Sequence, residues 1–240
     1  MKINIYHLLE GAKKAEGLTV VIDVFRAFSL VCYAFQNGAS RIIPIADIEQ
    51  AYELKKKNPS FVLMGERNEQ KPLDFDYGNS PSHILNTDFT GKTIIHTTSA
   101  GTQGLVNAIN ASERITGSFV NAPAIIKYIA DKNPDKVSLV CMGYSMKHPT
   151  EEDSFCAEYI KANLERSSYD IVNAFNIIRN TSGKRFFEEK NQEFSPKTDF
   201  ELCLALGKFD FIVKAAENND YLQLTKSITS GDKSILSPFH

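Results

Sequence analysis

The chain has no Walker A sequence, no GxGxxG, no CxxC pair, and no apolar run approaching the roughly 20 residues that cross a bilayer. Each absence removes a class of function. Without the glycine-rich loops a nucleotide fold is not signalled. The four cysteines, Cys32, Cys141, Cys156 and Cys203, stand far apart, which fits reduced and mostly buried thiols better than a zinc site or a disulfide framework. Blocks of like charge are also missing. Lys and Arg number 27 against 29 Asp and Glu, scattered along the chain, so there is no basic footprint for nucleic acid and a polyanionic partner is not expected. The opening MKINIYHLLEGAKKAEG has one Lys and then a strand-like alternation, too short and too polar for a signal peptide. A cytoplasmic protein without a membrane partner is the expectation.

What is present reads as a layered α/β protein. With 240 residues, 42% hydrophobic and 23% charged, the chain can bury a large core, and a single domain over 1–240 is expected. β-Branched runs suggest strands over 2–6, 19–24, 41–45, 61–65, 92–97, 114–116 and 136–142. Helical periodicity falls between them, over 27–37, 48–57, 101–110, 122–131, 152–165 and 200–205. Runs such as VVIDV and TIIHTT are apolar enough for strands covered on both faces, so the pattern predicts a three-layer α/β/α sandwich with a largely parallel or mixed sheet. The order strand, helix, strand, helix, strand occurs over 19–65 and again over 92–143, suggesting a pseudo-repeat with halves of about 1–90 and 91–240. Residue identity between the halves is slight. Two long irregular connections, 71–81 and 179–196, stand out, and the first is the better candidate for a binding loop.

Ligands of open α/β sheets collect at the carboxyl ends of strands, and four such ends carry polar clusters. TVVIDVFRA ends a strand at Asp23 with Arg26 three positions on, although an Asp there also serves as a helix cap. Glu66 and Arg67 follow the strand over 61–65, and Asp74, Asp76, Asn79 and Ser80 lie in the turn-rich loop beyond. One or two carboxylates suffice for Mg²⁺, while a planar Arg fork suits phosphate or sulfonate. Salt bridges clipping loops are the plainer reading. In HTTSAGTQGL, Thr97, Thr98, Ser99, Gly101 and Thr102 crowd a helix start that reads as an anion cradle, with ordinary capping by Ser99 as the alternative. Glu151, Glu152 and Asp153 open a further helix, where acids favour the macrodipole without any catalytic duty. Cys141 has no Arg at the spacing of a cysteine phosphatase loop, and Asp23 has no second Asp two residues on. His96 and His148 are possible acid/base groups, with a structural role as the commoner reading.

The segments VVIDVFRAFS (20–29), GER (65–67), FDYGNSP (75–81), TTSAGT (97–102), TGSFVNA (116–122) and EDSFCAEYI (152–160) closely resemble, in order, the 2-phosphosulfolactate phosphatase family. The resemblance implies a magnesium-dependent phosphatase that converts 2-phospho-3-sulfolactate to 3-sulfolactate and phosphate, a step in coenzyme M biosynthesis. Its fold would be α/β/α and its partner a small anionic substrate. Transferred to these motifs, Asp23, Arg26 and Glu66 are catalytic candidates and Asp23, Glu66, Asp76 and Asp153 metal candidates. Arg67, Asn79, Ser80, Thr98, Ser99, Gly101 and Thr102 would bind substrate. Where many members have RATT, a glycine pair after GER and TTTNGT, this chain has RAFS, Asn68 with Glu69, and TTSAGT. A changed rim alters selectivity without altering reaction class. A non-catalytic protein that binds a small sulfonate or phospho-acid is the alternative. A homodimer is the default oligomer, because symmetric dimers are the commonest.

Overall fold

A computed structural model describes residues 1–218 and 221–228. The elements in chain order are β1 (Lys2–His7), α1 (Leu8–Lys14), β2 (Gly17–Ile22), α2 (Ala27–Gln36), β3 (Arg41–Pro44), α3 (Ile48–Lys57), β4 (Val62–Gly65), α4 (Pro81–Ile84), β5 (Thr93–Thr97) and α5 (Gly101–Asn107). They continue with β6 (Ala111–Gly117), α6 (Ala122–Lys132), β7 (Lys136–Cys141), α7 (Glu151–Leu164), α8 (Ile171–Asn180), α9 (Lys197–Cys203), β8 (Phe211–Asn218) and β9 (Tyr221–Ile228). Every strand expected from the sequence is present, within a few residues at its ends. The helices α1, α4 and α8 and the strands β8 and β9 are additions. Among the described residues no helix is long and apolar enough to cross a membrane.

Among the described residues the strands form one nine-stranded mixed sheet in the order β1-β7-β2-β6-β8-β9-β3-β5-β4. β1, β7, β2 and β6 pair in parallel, as do β3, β5 and β4. The antiparallel pair β8 and β9 stands between the two blocks. Exchanging β2 with β5, β3 with β6 and β4 with β7 turns β7-β2-β6 into β4-β5-β3, so the repeated grammar of the sequence is an internal symmetry of the sheet. Each repeat sends its first strand into the block that holds the other two strands of its counterpart.

Side-chain alternation explains the layers. In β2, Val21 packs in a cluster with α1, α2 and α5 residues, while Val20 and Ile22 pack in a second cluster with residues of α6, α7, α8 and α9. Period-two alternation of apolar side chains therefore feeds both faces. The first cluster continues under β3, β5 and β4, whose opposite face is closed by Ala51 and Leu54 of α3. Helix α2, AFSLVCYAFQ, is buried at every position from Ala27 to Phe35. A helix apolar all round belongs inside a protein, and here it gives the preceding residues, Asp23 to Arg26, an immobile base. The four cysteines are free and buried, as their spacing suggested.

Candidate active site

Strand ends from both blocks and one late loop meet in a pocket of about 460 Å³, open mouth included, whose walls include Asp23, Arg26, Glu66, Glu69, Asn79, Ser99, Tyr144, Glu152 and Arg185. Asp23 follows β2 and is buried. Its Oδ1 accepts the Ala27 N–H at 3.1 Å, so the cap reading of the sequence holds for one oxygen. The other oxygen faces the start of α5. A Cβ built on Gly101 would lie 2.8 Å from Asp23 Oδ2 and 2.9 Å from the Ala27 Cβ, so glycine is what allows the carboxylate to sit there. Burial pushes the Asp23 carboxyl up to about 7, and the charges of Glu66 and Glu152 add to the shift.

Glu66 leaves the end of β4 and lies in the turn after β5. Its Oε1 accepts the Ser99 N–H at 2.6 Å, and its Oε2 accepts the Ser99 hydroxyl at 3.1 Å and the Glu69 N–H at 2.9 Å. The anion cradle read in TTSAGT therefore already holds an anion, the Glu66 carboxylate. Glu152, in the first turn of α7, is buried in the pocket wall, and its Oε2 accepts no hydrogen bond of proper geometry. Burial raises its carboxyl, offset in part by Arg185 and by the nearby Ser182 and Thr150 hydroxyls.

The cations differ in their commitments. Arg26 donates through NH1 to Asp199 Oδ2 at 2.8 Å and to the Phe194 carbonyl at 2.6 Å, both ion-pair partners being buried. Its NH2 has only a 3.4 Å contact with the Glu69 carbonyl. Arg185 reaches the pocket from the connection after α8. It pairs with Glu69 Oε1 at 2.8 Å and donates to the Phe25 carbonyl at 3.2 Å, while its buried Nε–H has no partner among the described residues.

Of the residues singled out in the sequence, Asp23, Arg26, Glu66, Asn79 and Ser99 are brought together in the pocket, and Gly101 packs against Asp23. The others are held elsewhere by identifiable bonds. Arg67 turns its guanidinium to Thr97 Oγ1 at 2.6 Å and to the Ala46 and Glu66 carbonyls, stapling three loops. Thr98 and Thr102 bond each other, each hydroxyl accepting the other's backbone N–H. Ser80 donates to Asp199 Oδ1 at 2.9 Å, behind Arg26. Asp153, expected on a metal, instead accepts the Val24 and Gly143 N–H groups, each at 2.8 Å, and clips the ends of β2 and β7 together. Its buried carboxyl is pushed well up by desolvation. Asp76, the fourth metal candidate, accepts from Lys55 Nζ at 3.1 Å and from the Leu63 N–H at 2.8 Å, on the flank of β4. An Asp76→Ala variant is accordingly expected to keep activity within about twofold and to lose about 1 kcal/mol of stability, read by phosphate release and chemical denaturation.

Sequence reasoning missed Arg185 and the buried Asp199 as parts of this constellation, and it named Glu69 only as a departure at the rim and Glu152 only as an acid of a first helical turn. It placed more weight on 71–81 than on 179–196, yet from the first only Asn79 lines the pocket, and the second supplies Arg185. His96 is buried and held neutral, its ring pushed down to about 3 by burial and by Arg67. It lies with Nε2 3.3 Å from Asn79 Oδ1, a positioning contact rather than an acid/base group at neutral pH. Among the departures from the commoner family pattern, Phe28 and Ser29 point into the core, whereas Glu69 and Ser99 face the pocket.

The donor set fits a small hard cation. Among the described residues no three His, Cys, Asp or Glu are drawn together as a complete metal cage. Mg²⁺ needs no such cage, because it keeps waters and shares substrate oxygens. Glu152 Oε2, which accepts no hydrogen bond among the described residues, is an oxygen donor in the same pocket as Asp23 Oδ2, whose carboxyl is raised first by burial and then by the charges of Glu66 and Glu152.

Comparison with known proteins places the chain among similar sequences of one family. A family model described as 2-phosphosulpholactate phosphatase matches residues 3–218. A probable 2-phosphosulfolactate phosphatase of Caldanaerobacter subterraneus subsp. tengcongensis is 32% identical over 222 residues, covering 87% of this chain and 92% of its own. One of the same name from Thermoplasma volcanium is 32% identical over 212 residues, 88% and 95% of the two chains. Another, from Bacillus subtilis, is 29% identical over 227 residues, 92% and 96%.

Proposed function

The chain belongs to the 2-phosphosulpholactate phosphatase family, and from that premise we propose that it hydrolyses a small phosphorylated acid, 2-phospho-3-sulfolactate, to 3-sulfolactate and phosphate with Mg²⁺ as cofactor. The observation that carries the reading is the buried Asp23 carboxylate, set with Glu66 and Glu152 opposite Arg26 and Arg185 in one pocket.

The residues divide the work as follows. Arg26, locked from behind by Asp199, offers its loosely held NH2 to the phosphoryl oxygens, where fixed positive charge stabilises the transition state without reorganisation. Asp23 takes a proton at Oδ2 from the water that attacks phosphorus, while its Oδ1 stays fixed by the Ala27 N–H. The water oxygen becomes the fourth oxygen on phosphorus as the bond to the C2 oxygen of the acid breaks, that oxygen takes a proton from solvent to leave as the hydroxyl of sulfolactate, and Asp23 returns its own proton to solvent. Glu152 would hold Mg²⁺, with the Asp23 and Glu66 carboxylates contributing negative charge beside it. When bound, the ion supplies Lewis-acid neutralisation of the phosphoryl oxygens. Cys141 is buried with its thiol pushed well up, which leaves it no nucleophilic part.

The test is phosphate release from 2-phosphosulfolactate and phospholactate, with Mg²⁺ and with EDTA. Release that stops on chelation is expected. A folded protein that binds these esters but releases no phosphate from either would instead support the non-catalytic anion-binding reading.

A further inference from the structure

Glu69 is held at three points, and all three anchors belong to the pocket. Its N–H is bound by Glu66 Oε2 at 2.9 Å, its carbonyl is approached by Arg26 NH2 at 3.4 Å, and its carboxylate pairs with Arg185 at 2.8 Å. The backbone there is left-handed, with φ of 52° at Asn68 and 68° at Glu69, a conformation that costs free energy for residues other than glycine. A strained turn thus delivers a carboxylate onto a pocket guanidinium.

The two guanidinium groups are not equivalent. The partner of Arg26 is the fully buried Asp199, which also accepts from Ser80 and from the Ser82 N–H and cannot leave. The partner of Arg185 is about one-fifth exposed at the pocket wall, and among the described residues the buried Nε–H of Arg185 has nothing to bond. A buried donor without a partner in a ligand pocket is a place for an acceptor from the ligand. Four carboxylates and two guanidinium groups share this wall, so each additional acidic group on a ligand meets repulsion unless a cation is released to receive it.

We propose that Arg185 is the residue that receives the acidic arm of the substrate, its carboxylate or sulfonate, and that Glu69 is a built-in competitor for that cation which sets how many acidic groups the pocket favours beyond the phosphate. This rests on the phosphatase reading for the identity of the ligand but not for its test. Specificity is a difference of affinities, and a fixed like charge is the simplest way to disfavour the more anionic of two ligands.

The experiment is a double-mutant cycle of Glu69→Gln and Arg185→Gln, read by two ratios. One is kcat/KM for 2-phosphosulfolactate over phospholactate. The other, free of turnover, is the calorimetric affinity for 3-sulfolactate over lactate, with circular dichroism to confirm each fold. Glu69→Gln is expected to raise both ratios about tenfold, and Arg185→Gln to lower binding of both acids and abolish the effect of the Glu69 change. If no ester is hydrolysed but the affinity ratio behaves in this way, the phosphatase reading fails and this one stands. Ratios unchanged by Glu69→Gln, an effect that persists without Arg185, or no binding of either acid to any variant would each overturn it.

Discussion

Asp23→Asn is expected to stop turnover and at the same time to stabilise the metal-free protein at alkaline pH. Loss of a positioned general base lowers kcat by about 10²- to 10⁴-fold. The stability gain follows from linkage. An ordinary carboxyl of this kind titrates at 3.8, and in the fold Asp23 titrates at about 7. Between those values the folded protein holds a proton that the unfolded chain has released. The stability this group supports is therefore complete below about 4, falls as the pH rises to about 7, and stays low above it. The neutral amide escapes that loss. Melting curves in EDTA should show wild type and variant close together near pH 4 and the variant higher at pH 8, with Mg²⁺ reversing the order by favouring the ionised wild type. A variant less stable than wild type by the same margin at both pH values would refute the electrostatic account of this carboxylate.

Asp199→Ala is expected to be the most damaging single change to stability, at about 3–5 kcal/mol, because it strands the Arg26 guanidinium in the interior. Arg26 is 3% exposed and Asp199 is fully buried. The same aspartate accepts from the Ser80 hydroxyl and the Ser82 N–H, so two further donors lose their partner. Against a total stability of roughly 5–15 kcal/mol, that loss is visible as a displaced urea midpoint. The double variant Arg26→Met with Asp199→Leu separates the causes. Replacing both charges by apolar groups should restore the part of the stability lost to the unpaired charge, though not the part lost with the Ser80 and Ser82 hydrogen bonds, and leave the enzyme without turnover. Recovery of turnover in the double variant would show that Arg26 has no part in the reaction.

Much of the fold was legible because buried parallel strands and fully buried helices have loud signals. The apolar run through Val20 and Val21 and the continuous burial of α2 are examples. The antiparallel strands β8 and β9 were not, because FIVKAAEN and YLQLTKSI mix apolar and charged residues at positions whose burial only the neighbouring blocks decide. Helix α8, IVNAFNIIRN, was passed over although Asp170 caps it through the Asn173 N–H. The site was legible where chemistry sits at a strand end, as with Asp23 and Glu66. It was misread where neighbours in sequence share a composition but face different ways. Glu152 and Asp153 both open α7, and the turn of a helix between adjacent residues sends one to the pocket and the other to two backbone N–H groups. Arg185 was out of reach for another reason. Nothing local distinguishes it from Lys184, and only the packing of the connection after α8 brings it to the wall.

The crossed strand order has a consequence for how such a chain can be divided. Cutting it between β4 and β5 would give two pieces of matching grammar, each with a strand that has no place in its own sheet. β2 would be severed from β6 and β7, and β5 from β3 and β4. Neither fragment could close a core by itself, and two such fragments would regain the native sheet only by wrapping around one another. Asp23 and Gly101, whose atoms set each other's position, would fall in different fragments. The two halves are thus held as an interlocked pair, and the pocket is the seam along which it is joined.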